Sequence, residues 1–339
     1  MTIRAGVVGL GFMGQRYVEF LQRLEGVEVT AVCDIRTEIA EDLAERAGAQ
    51  VLSKAEDLAT SQDVDAVFVC TPENSHLDAA LAALGDGKAV MIEKPVADTL
   101  EAARSIAEAA EANKSIVMVG HILRFEPRWV AARRAIEAGD IGEVVSIATS
   151  RVGNVLDQEI LRGRTTIPLY YGVHDLDVVR WFAGSEATSI YATRRSGVLE
   201  AAGYAVHDLY CAILEFDNGI LATAELGWHI PAAAVGAPSS NLTVVGTRGW
   251  LKVDQANTGL QYWSANETRS VHPVVDVAFW PEVNEVPGGA LANELGHFLD
   301  CARSGAQPVF TIENAIEALR ISLAMEASAN QHETIRLSE

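Results

Sequence analysis

Apolar residues in the first third of the chain form short continuous runs, separated by segments with helical spacing. The runs are rich in β-branched residues and predict buried parallel strands at residues 3–10, 27–34, 65–71, 88–95 and 115–121. The segments between them predict helices at residues 16–26, 37–48, 75–87 and 99–114. This regular alternation predicts an α/β domain built on a doubly wound parallel sheet.

The pattern changes after residue 121. One helix is expected at 127–142, and strand-like runs then follow without helices between most of them, at residues 143–152, 187–196, 205–216, 219–229, 241–246 and 249–254. The letters DNG at 217–219 predict a hairpin turn. Two helices, near 290–303 and 313–329, close the chain. We therefore predict two domains, residues 1–121 and an α+β domain at 122–339 with a large, mainly antiparallel open sheet.

Composition narrows the choice of partners and compartment. The net charge of −20 argues against nucleic acid or an anionic membrane surface, because both attract cationic proteins. No apolar run is long enough to span a bilayer. The four cysteines have neither CxxC nor metal-ligand spacing, which is typical of reduced thiols. We expect a cytoplasmic protein with no membrane or nucleic-acid partner.

The letters GLGFMG place Gly9, Gly11 and Gly14 in G-x-G-x-x-G spacing between a predicted strand and a predicted helix. Asp34 ends the next strand, 20 residues after Gly14. This context is the dinucleotide fingerprint, in which the glycines admit a pyrophosphate and the acid binds the ribose hydroxyls. A carboxylate also repels a 2′-phosphate, so NAD is favoured over NADP, although Arg36 leaves some NADP use open. The other reading is a glycine-rich turn without a ligand. Neighbouring residues of the same two turns are candidate cofactor contacts: Phe12, Met13 and Ile35.

Polar residues follow two further predicted strands, where ligands of parallel sheets bind. The letters TPENSH supply Thr71, Pro72, Asn74 and His76, which fit either a cofactor contact or a helix cap with local packing. The letters EKP follow a buried run. Lys94 is expected to project into the ligand crevice, whereas Glu93 is expected to orient the loop. A lysine at this position could stabilise a developing alkoxide.

The letters YYGVHDLD at 170–177 allow three readings of His174: a proton-transfer group, a metal ligand, or a polar residue that opens a helix. A metal site is disfavoured because ligands so close in sequence rarely converge. Other residues could contact a hydroxyl-rich or anionic substrate, although arginines are also ordinary surface charges and tryptophan is commonly a core residue. These candidate substrate contacts are Arg124, Arg151, Arg164 and Trp228.

Taken together, the motifs resemble the glucose-fructose oxidoreductase / inositol dehydrogenase (Gfo/Idh/MocA) family over essentially the whole chain. The residues that carry the resemblance are GLGFMG, Asp34, TPENSH, EKP, VHDLD and the C-terminal helical segment that begins ELGHFLD. The resemblance implies an N-terminal Rossmann domain and a C-terminal domain whose large sheet makes a homodimer or homotetramer. It also implies hydride transfer between a carbinol carbon and a nicotinamide, with Lys94 and His174 as the catalytic lysine and histidine.

One position departs from the family pattern. Inositol-type members carry an aspartate four residues before this histidine, where the present chain has Tyr170. Either the Tyr170 hydroxyl replaces that carboxylate in substrate binding or proton relay, or Asp175 or Asp177 orients His174. Inositol itself is a less secure expectation for the same reason.

The expected function is NAD-dependent oxidation of a secondary hydroxyl of a sugar, sugar derivative or cyclitol, or the reverse reduction. His174, whose side chain has a reference pKa of about 6.5, would take the hydroxyl proton, and Lys94 would polarise the same oxygen. Two alternatives stay open. One is a tightly bound NAD that acts transiently on a glycoside or nucleotide sugar, and the other is a non-catalytic NAD sensor.

Overall fold

The structure is a computed structural model that describes residues 2–155, 157–231, 239–255, 278–284 and 286–337. Its first strands are β1 (Ile3–Val8), β2 (Val27–Cys33), β3 (Gln50–Val51), β4 (Ala66–Val69), β5 (Ala89–Ile92) and β6 (Val117–Val119). The helices between them are α1 (Phe12–Leu21), α2 (Thr37–Ala47), α3 (Ala55–Ala59), α4 (His76–Gly85) and α5 (Leu100–Asn113).

These six strands form one parallel sheet in the order β3-β2-β1-β4-β5-β6. Strand β4 is buried at every position, as expected for a strand covered by helices on both faces. The strand order reverses between β1 and β4, which is the point where doubly wound sheets bind ligands. The predicted α/β class is confirmed.

The middle of the chain begins with α6 (Pro127–Glu137). The remaining elements of this part are β7 (Val144–Asn154), α7 (Asp157–Leu161), α8 (Val173–Ala183), β8 (Ala187–Arg195), α9 (Val198–Ala201), β9 (Leu209–Phe216), β10 (Leu221–Ile230), β11 (Ser239–Gly246) and β12 (Trp250–Asp254). A π-helical turn at Pro168–Gly172 leads into α8. The last elements are β13 (Glu282–Val283), β14 (Val286–Pro287), α10 (Gly289–Ser304), α11 (Ile312–Gln331) and β15 (Ile335–Arg336).

A second sheet has seven strands in the order β12-β11-β7-β10-β9-β8-β15. All its pairs are antiparallel except β7 with β10. Burial alternates along β9 and β10, so one face of the sheet packs on helices while the other is open. The predicted open, mainly antiparallel sheet is confirmed, and the DNG turn joins β9 to β10 as expected.

The chain divides into two compact units. The first comprises the chain up to Phe125 together with Glu282–Leu319, and the second comprises Glu126–Pro281 and the chain from Arg320 onward. The structure therefore groups α10 with the parallel sheet, whereas the sequence analysis assigned residues 122–339 to one domain. The reason is packing: Phe298 of α10 meets Phe68 of β4 edge to face, with ring centres 5.3 Å apart. Among the described residues, every helix is too short or too polar to cross a bilayer.

Candidate functional site

The glycine turn after β1 has the geometry that a dinucleotide requires. Gly9 has a φ of +87°, in the left-handed region that favours glycine. A Cβ atom on Gly14 would stand 1.9 Å from the carbonyl oxygen of Gly9, so α1 can pack this closely only with glycine there. A Cβ on Gly11 would meet nothing within 4 Å, which leaves open space at the N-terminus of α1. A pyrophosphate is favoured at such a helix N-terminus. Phe12 is 59% exposed and Met13 half-buried beside it.

Asp34 follows β2 and is oriented by hydrogen bonds. Its Oδ2 accepts the backbone N–H of Leu10 at 2.6 Å, and the Arg36 guanidinium donates to both carboxylate oxygens at 2.9 Å. Burial alone would raise the pKa of Asp34, but the hydrogen bonds from Arg36 and Leu10 outweigh it and lower the pKa. The carboxylate is therefore charged beside the glycine turn. Ile35 is 99% exposed next to it.

The turn after β4 is fixed by a buried histidine. The His76 Nε2 lies 2.8 Å from the Thr71 carbonyl oxygen, and its Nδ1 lies 3.3 Å from the Val96 carbonyl oxygen. Burial lowers the pKa of His76 more than these carbonyls raise it. The imidazole thus joins the ends of β4 and β5, and its direct contact with a cofactor stays a prediction. Thr71 is half-buried, whereas Pro72 and Asn74 are exposed.

Lys94 follows β5 with its side chain partly exposed, and its backbone N–H donates to Oε2 of Glu93 at 3.1 Å. Glu93 is buried at 7% exposure. Two buried polar residues of the first unit were not singled out by the sequence analysis, Tyr17 and Glu294 of α10. A signal for Glu294 existed: the sequence LANELGHF places it at an apolar position of the helix, in phase with Leu291, Leu295 and Phe298.

Arg124 lies in the short helical turn after β6, still within the first unit. Its guanidinium carbon is 5.1 Å from the centre of the Phe310 ring, a cation–π arrangement that holds the side chain half-buried.

His174 is the second residue of α8 and is partly exposed. The two acids that follow it, Asp175 and Asp177, are each 1% exposed. Both carboxylate oxygens of Asp175 accept hydrogen bonds: Oδ1 from the Thr149 hydroxyl at 2.9 Å and Oδ2 from the Arg151 Nε at 2.5 Å. This carboxylate anchors α8 to β7 through two charge-assisted bonds. Arg151, a predicted substrate contact, is engaged in that pair, and the support of His174 by Asp177 stays a prediction.

Tyr170, in the π-helical turn, packs its ring against two others. The ring centres lie 5.6 Å from Trp228 and 5.3 Å from Tyr171. Trp228 has no exposed area, so in this conformation it offers no face for the predicted stacking on a sugar, and it supports the partly exposed Tyr170 ring instead. Arg164 lies on the surface of the same unit.

The sequence analysis missed a carboxyl–hydroxyl pair near His174. Its tyrosine, Tyr171, lies three residues before His174 in the sequence. The Tyr171 hydroxyl donates to the carboxylate of Asp157, the first residue of α7. Burial raises the pKa of Asp157, although Tyr171 and Trp228 oppose it, and burial also raises the pKa of Tyr171. A Cβ on Gly153 would lie 2.2 Å from the Tyr171 hydroxyl, so glycine in β7 makes room for this pair.

Metal-ligating side chains do not converge in this structure: over the described ranges, no three His, Cys, Asp or Glu side chains form a group suited to an ion. The first unit defines a dinucleotide-binding protein, because a glycine turn, an ionised acid and a lysine follow strands of one parallel sheet, at the edge where such sheets bind nucleotides. The matches to known families agree. Residues 3–121 match the oxidoreductase family with an NAD-binding Rossmann fold, and residues 133–337 match the C-terminal alpha/beta domain of the same family. The chain belongs to this Gfo/Idh/MocA oxidoreductase family.

Individual relatives are similar over different lengths. An inositol 2-dehydrogenase of Rubrobacter xylanophilus is 36% identical over 56% of this chain, and the chain spans about half of that relative, 54%. A scyllo-inositol 2-dehydrogenase (NAD(+)) of Bacillus subtilis is 26% identical over 95% of this chain and 92% of the relative. The crystal structure of scyllo-inositol dehydrogenase from Lactobacillus casei with bound NAD(H) and scyllo-inositol has a TM-score of 0.85 over the full length of both chains, at 20% identity.

Proposed function

We propose that the protein is an NAD-dependent dehydrogenase that oxidises a secondary hydroxyl of a sugar, sugar derivative or cyclitol, or catalyses the reverse reduction. The proposal rests on the polar residues and glycines that follow three strands of the first unit. The glycine turn, the ionised Asp34 and Lys94 follow β1, β2 and β5 of one parallel sheet, whose carboxyl edge is where such sheets bind nucleotides. The named inositol dehydrogenases among the relatives support the substrate class.

The cofactor preference is assigned to Asp34. Its carboxylate would accept hydrogen bonds from the ribose hydroxyls of NAD and would repel the 2′-phosphate of NADP. Arg36 now binds both carboxylate oxygens and would have to release at least one of them to ribose. NAD is therefore the proposed cofactor. NADP would be used only as far as Arg36, once displaced from Asp34, can bind the 2′-phosphate.

The chemistry divides between the two units. NAD supplies the hydride acceptor. His174 takes the hydroxyl proton as the carbinol C–H electron pair leaves as hydride, and the Lys94 ammonium stabilises the negative charge that develops on the same oxygen. Asp177 supports His174. Tyr170 stands where inositol-type members carry an aspartate, and we assign its hydroxyl to binding the substrate, with Arg124 and Arg164 as further contacts.

Scanning polyols for NADH formation tests the proposal. The panel comprises myo-inositol, scyllo-inositol and common aldoses, each with NAD or NADP, and NAD binding is measured separately by calorimetry. We expect NADH to accumulate with at least one member of the panel. NAD binding without NADH from any of them would favour the sensor. Conversion of a glycoside with no net NADH would favour transient oxidation by a retained cofactor.

We also propose that the open face of the seven-stranded sheet forms a homodimer or homotetramer interface. Five large apolar side chains on this face of the sheet are between 42% and 66% exposed: Tyr191, Ile213, Leu221, Val245 and Trp250. The strand pairing aligns Tyr191, Ile213 and Thr223 in one row. A shallow depression of about 530 Å³ on this face has Glu225 as its one charged lining residue among those described. A surface with this many exposed apolar side chains and so few charges in its central depression fits a second copy of the sheet better than it fits water.

A further inference from the structure

A tyrosine and an aspartate form a hydrogen-bonded pair beside the turn that leads into α8. Tyr171 belongs to the π-helical turn Pro168–Gly172, and Asp157 is the first residue of α7. The Tyr171 hydroxyl donates to Oδ2 of the Asp157 carboxylate, and both side chains are only partly exposed. A hydroxyl in such a place needs a partner, because leaving it unsatisfied away from water is costly. The pair therefore ties the turn before His174 to a segment 14 positions earlier in the chain.

The tyrosine ring fits in this place because β7 leaves room for it. A Cβ atom on Gly153 would lie 2.2 Å from the Tyr171 hydroxyl oxygen and 2.9 Å from two carbons of the ring. Glycine inside a strand has no side chain to pack, and it often marks a site of such close approach. The ring also packs against the buried Trp228, with the two ring centres 5.5 Å apart. The β7 backbone, the indole and the Asp157 carboxylate together hold the Tyr171 side chain in one position.

Arg151 of β7 links Tyr171 to the residue that follows His174. Its guanidinium carbon lies 5.6 Å from the centre of the Tyr171 ring, in a cation–π arrangement, and its Nε donates to Oδ2 of Asp175 at 2.5 Å. Tyr171 and Asp175 are four positions apart, a spacing at which helical side chains are neighbours. His174 stands between them in the sequence, so the chain is held on both sides of it.

The turn that carries Tyr171 continues without a break into α8. The Val173 N–H bonds to the carbonyl oxygen of Pro168 across the π-helical turn, and Val173 itself has right-handed helical backbone angles. Because the turn and the helix share this hydrogen-bonded backbone, a displacement of Tyr171 would also displace Tyr170 beside it and His174 one turn later.

We propose that Asp157 is a positioning residue for His174 and acts through the Tyr171 hydroxyl. The inference rests on the proposed function, in which His174 takes the proton of the substrate hydroxyl. An apolar side chain at position 157 would leave the Tyr171 hydroxyl without this acceptor, so the ring would no longer be held against the β7 backbone. The π-helical turn would then lose its fixed position, and the imidazole at the start of α8 would lose its alignment with the substrate.

Three variants test this inference. Asp157→Asn keeps an acceptor oxygen on a side chain of nearly the same shape, Asp157→Leu removes it, and Glu159→Gln is the control, because Glu159 is exposed on the same short helix. We expect Asp157→Leu to lower kcat roughly 10-fold or more at nearly unchanged affinity for NAD, since small displacements of a catalytic group are costly. Asp157→Asn and Glu159→Gln should stay within about threefold of the parent.

A Tyr171→Phe background tests whether Asp157 acts through the hydroxyl. Asp157→Leu should cause little further loss of kcat there, because phenylalanine has no hydroxyl for the carboxylate to hold. An equal loss in the presence and absence of the Tyr171 hydroxyl would overturn the inference.

A second readout does not depend on turnover. Diethyl pyrocarbonate modifies accessible imidazoles, and peptide mass spectrometry gives its rate of reaction with His174, which is partly exposed. This rate should change in Asp157→Leu and return to the parent value in Asp157→Asn, even if the polyol assay reveals no activity and the proposed function fails. An unchanged rate at His174 in a folded Asp157→Leu variant would overturn the inference, whatever the effect on kcat. If Asp157→Leu does not fold, Asp157→Ala takes its place.

Discussion

At the scale of single residues, the proposed selectivity for NAD rests on Asp34 and Arg36. The acid is buried and ionised, and it binds the backbone of the glycine turn through Leu10. The arginine is half-exposed and can leave when another donor takes its place. In the proposed cofactor complex, the ribose hydroxyls would therefore compete with Arg36 for the same two carboxylate oxygens.

Replacing Asp34 by Ala should weaken NAD use and favour NADP. Hydrogen bonds to a charged group are worth about 1.5–3 kcal/mol, so kcat/KM for NAD should fall roughly 10-fold or more. Arg36, released from its partner, becomes available to a 2′-phosphate, so the NADP/NAD ratio of kcat/KM should rise. Steady-state kinetics with both cofactors gives the ratio. Arg36→Ala is the matched control and should lower NADP use without lowering NAD use, because it frees the Asp34 carboxylate. A ratio unchanged in Asp34→Ala would refute the assignment.

Local motifs made some of these residues predictable and left others hidden. Asp34 and Lys94 follow predicted strands, so short-range pattern alone places them at the ligand edge of the sheet. Asp157 and Tyr171 carry no such signal, since their pairing depends on the space beside Gly153. Glu294 follows no strand-end motif, and only its apolar phase in α10 hints at burial.

At the scale of elements, the turn from β1 into α1 separates two roles of glycine. Gly14 allows close packing of the helix on the preceding turn, whereas Gly11 borders open space. Stability and cofactor binding should therefore respond differently to the same substitution at these two positions.

Gly14→Ala should destabilise the protein by roughly 1–3 kcal/mol, the cost of overpacking, because its Cβ would collide with the Gly9 carbonyl. Gly11→Ala should leave the unfolding transition nearly unchanged but weaken NAD binding, because the methyl group enters the space assigned to the pyrophosphate. Denaturant unfolding without cofactor and calorimetric titration with NAD separate the two effects. Equal stability of the two variants would contradict this division.

Helix α10 carries Glu294, whose titration should change the free energy of unfolding of the protein with pH. A carboxyl group whose pKa is raised by folding contributes stability below its unfolded pKa of about 4.3, and that contribution is lost as the pH rises through the folded value. Since the pKa of Glu294 is raised, the free energy of unfolding should fall less steeply with rising pH in Glu294→Gln than in the parent above about pH 5. Urea unfolding across that range measures the slope. Parallel curves for the two proteins would show that Glu294 is ionised in the fold.

The hydrophobic pattern predicted the long elements better than the short or irregular ones. All five long predicted strands of the parallel sheet are present, because short buried runs of β-branched residues strongly favour strands over other secondary structure. The two-residue β3 and the π-helical turn before α8 have no periodic signature, so they were not predicted. The pattern also identified α10 as a helix, but periodicity does not reveal which unit a helix packs against.

At the scale of the whole molecule, the residues to which we assign roles in the proposed reaction belong to both units. The first holds the glycine turn, Asp34 and Lys94, while the second holds His174, Tyr170 and the open sheet face. The predictions of a cytoplasmic location and of the absence of membrane or nucleic-acid partners rest on composition and remain predictions.

The sheet face should control assembly. Introducing a charge with Ile213→Glu places repelling carboxylates at a self-complementary interface, so the oligomer should dissociate toward monomers. Val309→Glu is the control, because Val309 is 70% exposed and lies outside this sheet. Size-exclusion chromatography with light scattering reports the mass. A parent protein that is already monomeric, or an Ile213→Glu variant of unchanged mass, would disprove the interface.

The central claim is that Lys94 and His174 act on one substrate hydroxyl while NAD accepts the hydride. The most direct measurement is the single-turnover rate of NADH formation at saturating NAD, with the polyol that the parent enzyme oxidises. It is compared between the parent, Lys94→Ala and His174→Ala. We predict that each substitution lowers this rate roughly 10²-fold or more while NAD still binds. Parent-like single-turnover rates in either variant would contradict the account.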